Sequence, residues 1–335
     1  MRRREPPPLP AVWQAWLADN LLDGVPADAL VARLVARGLT AAAAADVIAA
    51  ALAHPFLRAA LPHAERGRRR AAMLRIMAET AARAPIAIPR RPTLDAATFV
   101  REHYAPGRPV VLTAALTELP ALRQWTFAYL AEHHGRIPIS VQAGRTAGDY
   151  QRDFAASLQR IRLRVLIERI AATPMSNDLY LTAKNRLLDE AGAQVLLDDL
   201  TPLPPFLRAP ATAADAGVWI GPGGTVTPLH HDWCNAAVAQ VCGRKRWRLI
   251  APTDAPRVGN LTSRFADVDP EAPDLARFPE FADVHVHDVE LGPGELLFVP
   301  VGWFHHVRAL EPSISVSFTC FTEPNQYRWD VDTTP

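Results

Sequence analysis

The chain has 335 residues, 49% of them hydrophobic and 21% charged, which fits a globular protein with a sizeable core and excludes wholesale disorder. Its 36 Lys and Arg against 35 Asp and Glu leave a formal charge of +1, so no global field gathers nucleic acid or an anionic membrane. Its three cysteines, Cys234, Cys242 and Cys320, are too few and too scattered for a disulfide framework or a zinc knuckle, which points to a reducing compartment, by default the cytoplasm.

The arginine run in Met1 to Pro10 has no apolar stretch behind it, which argues against a secretory signal. From Ala11 to about Arg83, good helix formers with apolar spacing near three and four predict three or four short helices, broken at Gly24-Val-Pro26, Gly38 and Pro55. Asp28 and Thr40 are the expected N-caps, and Arg66 to Met77 reads as a basic-faced helix. The Ala-rich stretch Ala41 to Ala53 is too short to span a membrane and contains Asp46. This helical region, 1–85, reads as a packed appendage, with peptide or partner docking or homodimerisation as sharper uses.

Prolines in the segment Ala84 to Thr93 push their predecessors out of helical geometry, which places a domain boundary there. Over 86–335, Pro109 to Thr113 and Ile137 to Val141 read as strands, while Trp125 to His134 and Phe154 to Ala172 read as helices. Short β-like runs follow at Leu179 to Ala183, Val218 to Gly221, Ala236 to Cys242, Arg246 to Ile250, His285 to Val289, Glu295 to Val299, His305 to Ala309 and Ile314 to Phe321. Turns such as Gly221-Pro-Gly-Gly224 and Gly292-Pro-Gly294 punctuate them, predicting a jelly-roll sandwich or barrel. The expected fold is mainly β, with flanking helices and an N-terminal helical region.

Chemistry concentrates in Thr227-Pro-Leu-His-His-Asp-Trp-Cys-Asn235, because residues two apart on a strand share a face and His230 with Asp232 can chelate one ion. A third ligand, His305 or His306, is offered by Val301-Gly-Trp-Phe-His-His-Val307. Two histidines and a carboxylate form the facial triad of non-haem Fe(II), which leaves coordination positions open. His285-Val-His287 is a rival same-face pair, without a Gly-rich entry before it.

The run Trp219-Ile-Gly-Pro-Gly-Gly-Thr-Val-Thr-Pro-Leu-His-His-Asp, then Asn235, then Gln240-Val-Cys-Gly-Arg-Lys-Arg-Trp247, closely resembles the cupin-like branch of the JmjC oxygenases. Leu291-Gly-Pro-Gly-Glu-Leu-Leu-Phe-Val-Pro-Val-Gly-Trp-Phe-His-His-Val307 resembles its second half, and the likeness covers roughly Asp95 to Thr322. Within this family the resemblance leans toward the asparaginyl hydroxylase type that acts on hypoxia-inducible factor. It implies a double-stranded β-helix and a reaction using Fe(II), 2-oxoglutarate and O2 to hydroxylate a protein or peptide side chain. N-methyl-lysine demethylation, a non-catalytic cupin-fold binding module and a metal-dependent cupin isomerase are the alternatives.

Carried over by motif, the resemblance makes His230, Asp232 and His305 the iron ligands, and adjacent residues on a strand face opposite ways, which turns His231 and His306 outward. It makes Lys245 the partner of the distal 2-oxoglutarate carboxylate, with hydroxyls from Tyr180 and Thr227, and Asn235 a polar wall of the same pocket. Only Lys184 and Lys245 are lysines among the 36 basic residues, so lysine at position 245 departs from the chain's own habit. That skew, with the Ala and Pro content, also suggests a GC-rich bacterial coding bias. Two departures from the asparaginyl hydroxylase pattern are a step from Asp232 to Asn235 shorter by one residue and Ser317 in place of an asparagine. Trp233 and Trp303 read as packing residues. The alternation also puts Lys184 on the face of Tyr180. The mouth shows no substrate pattern, and a natural-product precursor peptide is one candidate substrate.

Overall fold

The structure is a computed structural model that describes residues 9–83, 87–146, 155, 157–259 and 264–327. Its contacts divide the chain into two units, Met1–Ala81 and Ala82–Pro335. The proline segment placed at the boundary lies partly outside the described residues, at 84–86.

The first unit holds α1 (Ala11–Leu22), α2 (Ala27–Val35), α3 (Ala41–Ala53) and α4 (Pro55–Ala82). Leu17, Leu21, Leu30, Leu34, Ala44, Ile48 and Leu57 form its core, at the three-and-four spacing that puts apolar side chains on one helix face. The Thr40 hydroxyl accepts from the Ala43 N–H and caps α3 as expected, whereas α2 starts two residues earlier than expected, after Pro26, with Asp28 inside its first turn. The expected short helices give way to one of 28 residues in α4, which carries Pro62 within it. Among the described residues no single helix is long and apolar enough to cross a membrane; α3 and α4 meet that test only as a pair bent by 79°.

The second unit contains β1 (Arg90–Arg91), β2 (Val110–Leu112), β3 (Pro138–Gln142), β4 (Leu158–Arg162), β5 (Ala216–Gly221), β6 (Val226–His230), β7 (Ala236–Cys242), β8 (Lys245–Ile250), β9 (His287–Leu291), β10 (Leu296–Val299), β11 (Phe304–Ala309) and β12 (Ser313–Phe318). A six-stranded sheet runs β1-β2-β10-β7-β12-β5, a four-stranded sheet runs β6-β11-β8-β9, and β3 pairs with β4. Apart from β1 with β2, the strand pairs are antiparallel.

Alternation explains how the layers stack. In the six-stranded sheet, Val110, Leu112, Ala237, Ala239, Leu296 and Phe298 face a large core shared with the helices α5 (Ala96–Phe99), α6 (Pro120–Gln124), α7 (Phe127–His133) and α8 (Leu163–Ala172). Their neighbours Val111, Val238, Leu297 and Val299 face the other way, against Trp247, Leu249, Val289, Leu291 and Val307 of the smaller sheet. The middle of the six-stranded sheet is therefore buried on both faces, and β2, β7 and β10 there read as largely apolar runs. The small sheet buries its inward face along its length and only part of its outer face, where Leu229, Ile250 and Phe304 pack with Val258, Val268 and Phe281, so β8 alternates between inward Lys245, Trp247 and Leu249 and outward Arg246 and Arg248 before ending on buried Ile250. Two facing sheets of this kind are the jelly roll expected from the sequence.

Two expected elements differ. The helix placed from Phe154 to Ala172 is a strand at Leu158–Arg162 followed by α8; Phe154 itself lies outside the described residues. The strand placed at Leu179 to Ala183 reduces to two bridges, Tyr180 with Gln142 and Leu181 with Ile220, before a 3-10 turn at Ala183–Asn185.

The crossover from β7 to β8 takes two residues, Gly243 and Arg244, and Gly243 sits at φ +68°. A Cβ there would come within 2.2 Å of the Pro312 carbonyl oxygen. Gln240, fully buried, braces this turn by donating to the Cys242 and Gly243 carbonyls while accepting from the Ser315 hydroxyl. Gly243→Ala is expected to cost at least about 1–3 kcal/mol through left-handed strain and backbone clash. Equilibrium denaturation measures that loss.

Candidate active site

β6 and β11 are adjacent antiparallel strands in which His230 pairs directly with His305. β11 also pairs with β8, His305 opposite Leu249, Val307 opposite Trp247 and Ala309 opposite Lys245, all on the inward face. His306 and Arg308 oppose Arg248 and Arg246 on the outer face. There Arg308 donates to the Glu271 carboxylate, which gathers with Asp269 and His306 outside the sheet. The adjacent histidines 305 and 306 are thus separated by the sheet itself. His231 likewise turns away, its ring against Trp233 and Phe304.

One ligand atom each from His230, Asp232 and His305 falls within a 4.8 Å group. His230 Nε2 is 4.0 Å from Asp232 Oδ1, and His305 Nε2 is 3.7 Å from Asp232 Oδ2. Each imidazole directs its other nitrogen at a backbone carbonyl, His230 Nδ1 at Pro228 (2.8 Å) and His305 Nδ1 at Trp303 (3.1 Å). With Nδ1–H donating, both Nε2 lone pairs are turned toward the carboxylate, the tautomer a metal requires. Burial first, and the neighbouring His305 second, hold the His230 pKa far below its ordinary value, which keeps the ring neutral. Burial opposes ionising Asp232, yet His230, His305 and Arg264 outweigh it and hold the carboxyl below its usual range. Two imidazoles that turn Nε2 toward one carboxylate fit a divalent ion of the non-haem iron type.

Asp232 reaches this point by a route other than strand alternation. β6 ends at His230, and Asp232 lies in the turn beyond it. The Gly302 N–H donates to the Asp232 carbonyl, and the Asn235 side-chain carbonyl accepts from the Val301 N–H. Those bonds stitch the turn after β6 to the turn leading into His305. Asn235 is 2% exposed and also donates to the Tyr327 hydroxyl; it is not among the residues lining the cavity, so it aligns the two ligand-bearing turns instead of forming the expected polar wall.

A cavity of about 270 Å³ opens beside the triad, lined among others by Tyr180, Thr227, Trp247, Lys245 and Ser317. Lys245 is 2% exposed and its ammonium donates to the Tyr180 hydroxyl at 3.1 Å. It stands four positions along β8 from Leu249, the partner of His305, so the two backbones are about 13 Å apart.

Thr227 and His230 are three residues apart, which on a regular strand puts them on opposite faces. A bulge between the pairs His305–His230 and Val307–Thr227 absorbs one extra residue of β6 and turns both inward. Pro228 sits at this bulge, where its missing N–H costs no ladder bond. Ser317 lines the cavity but its hydroxyl is engaged, donating to Gly217 and accepting from Trp219. Lys184 also lines the cavity.

Three contributors escaped the sequence reading. Arg145, 3% exposed, stacks over the Tyr180 ring at 5.0 Å while donating to the Val226 carbonyl. Phe265 bridges to His230 and lies over its ring at 5.4 Å, and Arg264 is 3.6 Å from Asp232. All three stand in loops without a local pattern. Trp247 was accessible by alternation from Lys245. The rival pair His285 and His287 meets ring to ring at 4.4 Å; among the described residues it joins no group of three possible metal ligands. Trp303 is a packing residue, its indole donating to the Gly107 carbonyl beside His287.

Residues 96–321 match the family model of the cupin-like domain. Lysine-specific demethylase 8 of Xenopus tropicalis is 28% identical over 65% of this chain and 49% of its own length. Lysine-specific demethylase JMJ30 of Arabidopsis thaliana is 31% identical over 69% and 54%, and the human bifunctional peptidase and (3S)-lysyl hydroxylase JMJD7 is 27% identical over 66% and 79%. The chain therefore spans about half the length of the first two. A Jumonji C domain-containing protein of Drosophila melanogaster is 29% identical over 68% of the chain. With two facing sheets and a His-Asp-His group at the mouth of the smaller one, the chain belongs to the cupin-like domain family, among its JmjC relatives.

Proposed function

We propose that this protein is an Fe(II)- and 2-oxoglutarate-dependent oxygenase that hydroxylates a side chain of a protein or peptide. The observation that carries the reading is the pairing, in one cavity, of a two-histidine, one-carboxylate group with a buried lysine at the far end of the same inward face. His230, Asp232 and His305 would hold the iron. Lys245, with the hydroxyls of Tyr180 and Thr227, would hold the distal carboxylate of 2-oxoglutarate by charge-assisted hydrogen bonds. When bound, the metal and cosubstrate supply the oxidising power: 2-oxoglutarate and O2 become succinate and CO2 as one oxygen atom enters a C–H bond.

The chain's own part is positional. Nδ1 contacts fix both imidazole tautomers, Asn235 aligns the ligand turns, and the apolar wall of Trp247, Val299 and Val307 keeps water from the reacting edge. The free thiols of Cys234, Cys242 and Cys320 support a reducing compartment such as the cytoplasm. A bacterial source rests on composition alone, since the relatives named come from animals and a plant.

The test incubates purified protein with Fe(II), ascorbate, 2-oxoglutarate and synthetic peptide pools under air. Peptides that gain one oxygen atom in step with succinate formation support hydroxylation. Loss of a methyl group from N-methyl-lysine peptides, with formaldehyde released, would establish the demethylase instead.

A further inference from the structure

Past β12 the chain runs beside Phe206 and Arg208, and residues 324–327 then lie in no helix or strand. Their hydrogen bonds converge on one residue. The Asn325 side-chain oxygen accepts from the Asn235 N–H at 2.8 Å, and its nitrogen donates to the Asn235 and Thr319 carbonyls, each at 2.9 Å. The Tyr327 hydroxyl accepts from the Asn235 side-chain nitrogen at 2.9 Å, and the Tyr104 hydroxyl donates to the Pro324 carbonyl at 2.8 Å.

The position of this contact explains its form. The register between β7 and β12 ends at Ala237 and Phe318, just short of Asn235 and Thr319. The Asn325 amide stands where that ladder stops, offering Asn235 one acceptor and one donor as a neighbouring strand would. Asn235 is 2% exposed, so its backbone groups are shielded from water and depend on these partners.

Asn235 closes the turn that carries Asp232. At the other end of that turn the His231 N–H donates to the Arg264 carbonyl at 3.0 Å. His230, His305 and Arg264 face the Asp232 carboxylate at 3.6–4.0 Å, longer than a hydrogen bond. The backbone of the turn therefore sets where the carboxylate stands, and the two ends set the turn. At the Asn235 end, the N–H, the carbonyl and the side-chain nitrogen all run to Asn325 and Tyr327, while the side-chain oxygen runs to Val301.

We infer that Asn325 is a positioning residue of the metal centre: it clamps Asn235 and thereby fixes where the Asp232 carboxylate meets His230 and His305. It lies 90 positions from Asn235, past the last strand of the double sheet. The inference rests on the metal reading of the His-Asp-His group and adds to it a residue that touches neither metal nor cosubstrate.

The experiment titrates the purified full chain with Co(II) alone, whose visible absorption reports the number and arrangement of its ligands. Calorimetry gives the affinity, and the melting temperature of the metal-free chain is recorded alongside. Asn325→Leu keeps the volume and removes all three hydrogen bonds. It is expected to weaken Co(II) roughly 10- to 100-fold and to shift its absorption toward that of Asp232→Ala. Asn325→Asp keeps the acceptor for the Asn235 N–H and loses both donated bonds; it is expected to fall between, and it serves if the leucine variant does not fold. Thr322→Val removes a hydroxyl bond to the Phe206 carbonyl from the same segment and is expected to leave Co(II) binding as in wild type. Wild-type affinity or wild-type absorption in the folded Asn325 variant, or equal weakening by Thr322→Val, reduces Asn325 to a structural clasp and overturns the inference. A wild type that binds no Co(II) overturns the metal reading and the inference together. One that binds Co(II) but no 2-oxoglutarate overturns the oxygenase reading alone, and the clamp is then supported or overturned by the Asn325 variants as before.

Discussion

His305→Ala is expected to abolish metal uptake while the same change one residue later, His306→Ala, leaves it intact. The two side chains are equally hidden, 5% and 3% exposed, and adjacent in sequence, so neither burial nor composition separates them. The sheet does. His305 shares the inward row with Leu249 and faces His230 across the strand pair, whereas His306 faces Glu271 and Asp269 on the outside. Loss of an orienting partner alone typically costs a metal site roughly 10- to 100-fold in affinity, so removing a ligand is expected to cost more than about 100-fold. His306→Ala removes packing from the outer face and is expected to cost about 1–2 kcal/mol of stability. Anaerobic Fe(II) titration, paired with thermal denaturation, reads both. Equal loss of metal in the two variants would contradict the assignment.

Lys245→Met is expected to weaken 2-oxoglutarate and to stabilise the unliganded protein at the same time. A charge-assisted hydrogen bond to a carboxylate is worth about 1.5–3 kcal/mol, so cosubstrate affinity should fall roughly 10- to 150-fold. In the absence of cosubstrate the picture inverts. Among the described residues the buried ammonium makes its hydrogen bond to the neutral Tyr180 hydroxyl, and carrying a charge out of water for that single partner is costly. Methionine fills similar space without the charge, so the melting temperature without ligand should rise. A functional lysine is distinguished by these opposed shifts; a lysine present for folding would lose stability and leave 2-oxoglutarate affinity unchanged.

Much of the β domain was legible because it is written in punctuated apolar runs. Ala236–Cys242 is read off in full, and β8, β10 and β11 within one residue at either end, since each is buried between Gly- or Pro-bearing turns. Leu158–Arg162 was not legible: Leu-Gln-Arg-Ile-Arg is a sequence of helix formers, and its extended state comes from pairing with β3, a partner distant in sequence. Tyr180 and Leu181 are held by one bridge each, to Gln142 on one side and Ile220 on the other, so the run around them never becomes a strand.

The site shows the same division. Alternation separates His230 from His231 and His305 from His306, since it is a local property of the chain. It does not account for Thr227, whose inward direction depends on the bulge at Pro228, nor for Asp232, which lies past the end of β6. Thr227 came from family resemblance alone; Asp232 was reached by alternation, but the structure places it through the hydrogen bonds among Asn235, Val301, Asp232 and Gly302. Asn235 shows the limit of transfer by motif: it stands beside the site, but its amide is spent on the Val301 and Tyr327 contacts. Arg145, Arg264 and Phe265 were invisible because loops that enter a site from elsewhere carry no period.

The His-Asp-His group and Lys245 are proposed to serve one cosubstrate held at both ends. The most direct measurement is anaerobic binding of 2-oxoglutarate to the purified chain with and without Fe(II). The expected result is one Fe(II) per chain, cosubstrate binding that strengthens sharply once the metal is present, and a visible charge-transfer absorption when both are bound. Cosubstrate binding that is unchanged by Fe(II), or that is absent with the metal in place, would contradict it.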